Sequence, residues 1–81
     1  MLSQESYIKN LDLSYLEKRF MDLKLWNEED AKSAVTRYKN FLILICRHPE
    51  TVLAPAPDID EAWHAHILYT REYMRDCQAI F

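Results

Sequence analysis

The chain has 81 residues, 49 % of them apolar, with 10 Lys plus Arg against 13 Asp plus Glu for a net charge of −3. One domain is expected at this length, and the apolar fraction is too high for a disordered chain. The complete absence of glycine excludes Gly-rich phosphate loops and disfavours tight turns at positive φ, and a pI near 5.5 argues against a nucleic-acid binder.

The first residues, Met1-Leu2-Ser3-Gln4-Glu5-Ser6, lack both the basic start and the apolar core of a targeting segment. The longest apolar run, Phe41 to Cys46, spans about 9 Å as a helix against a hydrocarbon core of about 30 Å. These features predict a soluble, cytoplasmic protein with no membrane partner. Cys46 and Cys77 form no CxxC pair and read as buried thiols.

Tyr7, Ile8 and Leu11 suggest a short N-terminal helical turn. Leu13, Leu16, Phe20 and Leu23 then step by 3, 4 and 3, which makes one helical face. Ser14 with Glu17 would close a capping box, or Asp12 would cap instead. The second main helix has Asn27 as N-cap, with Glu28, Glu29 and Asp30 at the positive end of its dipole. Its stripe is Ala31, Ala34, Val35, Tyr38, Leu42 and Ile45. From Phe41 to Cys46 it is apolar on every side and reads as the central, fully covered element. Pro49 ends it near Arg47 or His48.

Residues 49–57 form a stiff linker through Pro55 and Pro57, with Val52 and Leu53 expected to pin it to the core. A third helix is predicted from about Ile59 to Ala79, with Asp58 as cap and Glu61 closing a box. Its core stripe reads Trp63, Ile67, Thr70, Met74 and Cys77, flanked by Ala62, His66, Tyr69, Tyr73 and Ile80. Residues 1–26 and 27–50 each carry four acids and four bases, so the net charge sits in residues 51–81, with five acids against two bases.

The chemistry-bearing cluster is Asp58-Ile-Asp60-Glu61-Ala-Trp63-His64-Ala-His66 with Tyr69 and Tyr73. His and carboxylate ligands suit zinc or iron, and Asp60 with His64 lies at i,i+4, with His48 as a third ligand if the linker folds back. His64 and His66, however, point about 200° apart on a helix, unlike an i,i+4 metal pair. Asp60 beside His64 would also make an orienter and base, although no nucleophile lies near. A third reading is structural: Trp63 enters the core, and one histidine satisfies a buried polar contact, to linker carbonyls or to an acid. The other histidine stays outside near Asp60. Finally, Tyr69, Tyr73, Ile80 and Phe81, with Trp26, would make an aromatic patch for self-association through the C-terminal helix.

Tyr38-Lys-Asn-Phe41-Leu, His48-Pro49, Pro55 and the run Asp60-Glu-Ala-Trp63-His64-Ala-His66-Ile67-Leu68, with Tyr73 and Cys77 beyond it, carry a recognisable pattern. It resembles the glycine-rich domain-containing-protein-like family, with its D-x-x-W-H-x-H-x-L motif, over roughly residues 38–81. The resemblance implies Asp60, Trp63, His64, His66, Tyr73 and Cys77 as signature positions. It implies no reaction, and it implies a Gly and further histidines beyond the Cys.

The expected fold is all-α: a small orthogonal or bundle-like domain of three main helices preceded by a short N-terminal one. The expected function is that of a small non-enzymatic protein-binding or regulatory module, without cofactor and with a protein partner. The alternative is a metal-dependent or acid/base site on Asp60, Trp63, His64, His66 and Tyr73, with His48 as auxiliary and zinc or iron as the metal.

Overall fold

The computed structural model describes residues 3–81. Five helices follow in order: α1 Gln4–Asn10, α2 Ser14–Asp22, α3 Glu28–Arg47, α4 Pro57–Leu68 and α5 Thr70–Ile80. No strand occurs among the described residues, so the fold is all-α.

The N-terminal turn is a true helix because Ser3 caps it, its side chain accepting from the Ser6 N–H at 3.0 Å. Its one fully buried side chain is Ile8. At the start of α2 the Ser14–Glu17 box does not form. Asp12 takes that role from outside the helix, its carboxylate accepting from the Ser14 N–H at 2.9 Å. Leu13, Leu16 and Phe20 are buried as their spacing predicts. Each contributes about 1.5–3 kcal/mol by leaving water. Leu23 is not buried; it is 61 % exposed because the helix stops at Asp22 and the chain turns away there.

That turn explains how a glycine-free chain makes a tight reversal. The Leu25 N–H bonds to the Phe20 carbonyl and the Lys24 N–H to the Met21 carbonyl, both at 3.0 Å. These two bonds define a Schellman motif, which needs its penultimate residue in the left-handed region. Lys24 takes that conformation at φ 56°, the one positive φ among the described residues. An L-residue with a Cβ is held there at a cost of about 1–2 kcal/mol, against about 0.5–1 kcal/mol of extra chain entropy for glycine. Lys24→Gly is therefore expected to raise the melting temperature by about 2–6 °C for a domain of this size. An unchanged or lower melting temperature would reject the strain argument.

Asn27 caps α3 as expected, accepting from the Asp30 N–H at 2.8 Å. Ala31, Ala34, Val35, Tyr38 and Leu42 are buried, and α3 is the central helix, packing on α1, α2 and α4. It is not covered on every side in its apolar stretch. Phe41, Leu42 and Ile43 are buried, Ile45 and Cys46 are half-buried, and Leu44 is 45 % exposed. Too few helices surround this end to enclose all of its faces. Arg47 closes α3 and pairs with Glu5 through its Nε at 2.5 Å and Nη2 at 3.0 Å, tying the end of α3 to α1. The guanidinium holds the Glu5 carboxyl below its ordinary range.

In the linker Leu53 packs against the core, but Val52 is 98 % exposed and pins nothing. The start of α4 also differs from expectation. Pro57 occupies the first turn, where its fixed φ suits a helix and its missing N–H is not needed. The helix therefore begins before Asp58, which pairs with Arg37 on α3 at 2.5 Å rather than capping.

The largest correction concerns the third predicted helix. It is two helices, broken at Tyr69 (φ −86°, ψ 70°). Its buried face is also rotated: Ile59, Ala62, Ala65 and His66 face inward. Trp63 is only half-buried, Thr70 is exposed, and Ile67 and Met74 are 43 % and 56 % exposed. The two alanines present little bulk, so α4 lies close on α3 through that side rather than through the larger residues. Beyond the break, α5 packs on α1 and α4 through Asp76 and Ile80. Ile80 belongs to the core and is absent from the aromatic surface patch expected at the C-terminus, and Trp26 packs edge-on against Phe20 at 4.7 Å. Among the described residues, no helix is long and apolar enough to cross a membrane.

Candidate functional site

The reason for the break at Tyr69 lies in two side chains. His66 and Asp76 are ten positions apart, which on one straight helix would separate them by about 15 Å along the axis. In the fold His66 Nε2 and Asp76 Oδ2 are 2.9 Å apart. Only a chain that turns back between them allows this. The Tyr69 N–H still reaches the His66 carbonyl at 3.1 Å, so the last turn of α4 tightens as it ends.

Both groups are removed from water, His66 at 1 % and Asp76 at 0 % exposure. Asp76 accepts from three donors: His66 Nε2–H, the Tyr7 hydroxyl at 2.8 Å and Arg75 Nε at 3.1 Å. The other ring nitrogen, His66 Nδ1, faces the Tyr38 hydroxyl at 2.7 Å. Asp76 accepts, so the ring proton belongs on Nε2, and Nδ1 accepts from Tyr38. This arrangement suits a neutral imidazole. Burial is the dominant influence and holds its pKa below the ordinary value of 6.5, against the opposing pull of Asp76. Burial likewise pushes the Tyr38 phenol far upward, so it stays protonated as a donor. Four helices are joined by this one network: α1 through Tyr7, α3 through Tyr38, α4 through His66 and α5 through Asp76.

An aromatic ring of contacts surrounds the pair. Tyr38 and Tyr73 meet the His66 ring edge-on at 5.6 and 5.0 Å. Trp63 packs against Phe41 and donates its indole N–H to the Tyr73 hydroxyl at 3.3 Å. A cavity of about 30 Å³ lies beside the network, bounded by Trp63, Tyr73 and Cys77 among others. Nearby, the Tyr15 hydroxyl is buried with no hydrogen-bond partner in the described residues, and burial pushes it to about 12. Tyr15 meets Tyr69 edge-on at 4.8 Å, and Arg19 lies over the Tyr69 ring at 5.9 Å.

A model of the glycine-rich domain-containing protein-like family matches residues 15–76. The chain belongs to this family. The match begins upstream of Tyr38, taking in α2 from Tyr15 onward, and it ends at Asp76, before Cys77. It thus holds Tyr38, His66 and Asp76 of the network and leaves Tyr7 outside. No curated protein sequence and no solved structure matches the chain.

In this member of the glycine-rich domain-containing protein-like family the predicted site residues divide into two sets. Trp63, His66 and Tyr73 come together around Asp76. Asp60, His64 and His48 are exposed and outside that group. No three His, Cys, Asp or Glu side chains gather at one point among the described residues, so Asp60, His64, His66 and His48 do not converge as ligands. His66 carries the buried polar contact expected of one histidine, and its acid is Asp76. Both cysteines are free and half-buried, and burial raises the Cys46 thiol.

Residue-level reading missed Asp76, Tyr38 and Tyr7 as partners. Asp76 counts only as one of the five acids of residues 51–81, and Tyr38 as one more position of the α3 stripe. No Gly or Pro marks the break at Tyr69, so no local signal tells that position 76 folds back onto position 66.

Proposed function

We propose that this domain is a non-enzymatic protein-binding module whose histidine motif serves the fold. The observation that carries the reading is the closure of the network. Both ring nitrogens of His66 have partners, and Asp76 accepts from three donors. A general base must offer a nitrogen lone pair to substrate within hydrogen-bond reach, and here that lone pair is taken by Tyr38. Chemistry at the motif would require the core itself to open.

The outside of the molecule supports recognition by contact. A groove of about 260 Å³ runs between α2 and the α4–α5 elbow, lined by Tyr15, Arg19, Leu23 and Tyr69 with Lys18 and Asp22 at its rim. It combines aromatic faces, an arginine and the exposed Leu23, the mixture enriched where proteins meet. Leu23→Glu is the test, because this side chain lies outside the core and its replacement leaves the fold intact. Cross-linking and quantitative pull-down from the source cells should recover a partner with the native chain and lose it, by about tenfold or more, with L23E. The matched control Leu44→Glu, on the far α3 surface, should retain it. Equal recovery by L23E and the native chain would sink the groove, and turnover of a substrate by the folded domain would sink the non-enzymatic reading.

A further inference from the structure

We propose that the His66–Asp76 pair is an acid-sensitive latch that releases α5, as a unit, from α1 and α4. The geometry makes α5 the helix most dependent on a single polar anchor. Only two of its side chains are fully buried, Ile80 and Asp76. Besides these, the Gln4 side-chain amide donates to the Ile80 carbonyl at 2.7 Å, and α5 otherwise shows half-buried or exposed residues. α2, α3 and α4 each bury two or more apolar side chains, whereas one of the two fully buried side chains that hold α5 is a carboxylate.

The closed latch favours the neutral imidazole. In the neutral ring Nε2 carries the proton for Asp76, so Nδ1 accepts from the hydroxyl of Tyr38, itself at 0 % exposure. With a second ring proton Tyr38 would have to reverse its hydroxyl. Its oxygen would then accept from Nδ1–H, and its own buried O–H would lose the acceptor it has now. The groups in contact with the imidazole are Tyr38 on α3 and Tyr73 and Asp76 on α5. Tyr7 on α1 and Arg75 on α5 bond to Asp76, Glu72 on α5 acts on the ring by its charge, Cys77 lines the cavity beside it, and Tyr15 on α2 feels the charges of Asp76 and Glu72. Asp76 and Glu72 favour the imidazolium, while Arg75 and burial oppose it, burial most strongly.

The sign follows from linkage. With α5 released, His66 meets water and takes its proton at the ordinary value of 6.5; closed, it takes it lower. The open form therefore binds more protons. The latch is at full strength above about pH 6.5 and weakens as pH falls toward the lower closed-state value, by at most about tenfold in the opening equilibrium per pH unit. Opening would uncover Leu42, Ile45 and Trp63, which line the cavity beneath α5.

Native-state hydrogen exchange at about pH 7.5 and about pH 5, corrected for intrinsic rates, reads this directly. The expected result is that α5 amides lose protection by about tenfold while those at the centre of α3 keep theirs. His66→Gln, which offers a donor and an acceptor but cannot titrate, should abolish the difference. Should H66Q fail to fold, Tyr38→Phe decides. Without the hydroxyl the neutral ring loses its donor, so the imidazole midpoint seen by NMR and the onset of α5 exchange should both move up in pH. Simultaneous loss of protection in α3 and α5, persistence of the effect in H66Q, or an unmoved midpoint in Y38F would each overturn the proposal.

Discussion

Asp76→Ala is expected to destabilise the domain by about 3–5 kcal/mol, because it removes one partner of a fully buried pair and leaves the others unpaired. The Tyr7 hydroxyl and His66 Nε2–H would then face no acceptor, and α5 would lose one of its two buried anchors. Domains of this size stand at the low end of the usual range, near about 5 kcal/mol. The variant should therefore be largely unfolded at 37 °C. Asp76→Asn should fall between, since an amide oxygen can still accept while its NH₂ collides with one of the donors. Urea denaturation followed by circular dichroism measures both. A D76A midpoint within about 1 kcal/mol of the native chain would mean that the network is decoration on an apolar core.

Phe20→Ala should cost a comparable amount, about 3–5 kcal/mol, for a different reason. Phe20 is 1 % exposed and is the edge-on partner of Trp26, so the truncation leaves a void and strips the half-buried indole of its contact. Leu23→Ala, one turn further along the same predicted stripe and 61 % exposed, should stay within about 0.5 kcal/mol. The pair of substitutions separates helical periodicity from actual burial. If both cost the same, the chain does not leave α2 through the Lys24 turn.

Much of the architecture was legible in the residues. The caps at Asn27 and Asp12, the buried stripes of α2 and α3, the stop before Pro49 and the all-α class all follow from local chemistry: side-chain acceptors for free N–H groups, 3.6-residue spacing and proline's restriction of its neighbour. Reading α4 and α5 as one helix failed for an equally physical cause. The residues around Tyr69 are acceptable in a helix, and no glycine or proline interrupts them. Local propensity therefore favours continuation, and only a contact ten positions away outweighs it. The burial pattern shifted for the same reason. Trp63, Ile67 and Met74 form a good stripe on a straight helix, but the fold turns small Ala62 and Ala65 inward instead.

The candidate site was half visible. The spacing of His64 and His66 already separates them around a helix, and the fold keeps them apart, one exposed and one at 1 % exposure. Which of the two enters the core could not be read locally, because both sit among alanines and apolar residues.

What the sequence determined by itself is therefore the all-α class, the helices before the proline linker, the caps at Asp12 and Asn27, the family and the presence of one inward histidine. Those properties depend on neighbours within about four positions or on a residue pattern. The tertiary structure alone decided the elbow at Tyr69, the orientation of α4 and the joining of Tyr7, Tyr38, His66 and Asp76. A carboxylate and an imidazole cannot be buried singly without a large penalty, so the chain folds back until each has met its partners.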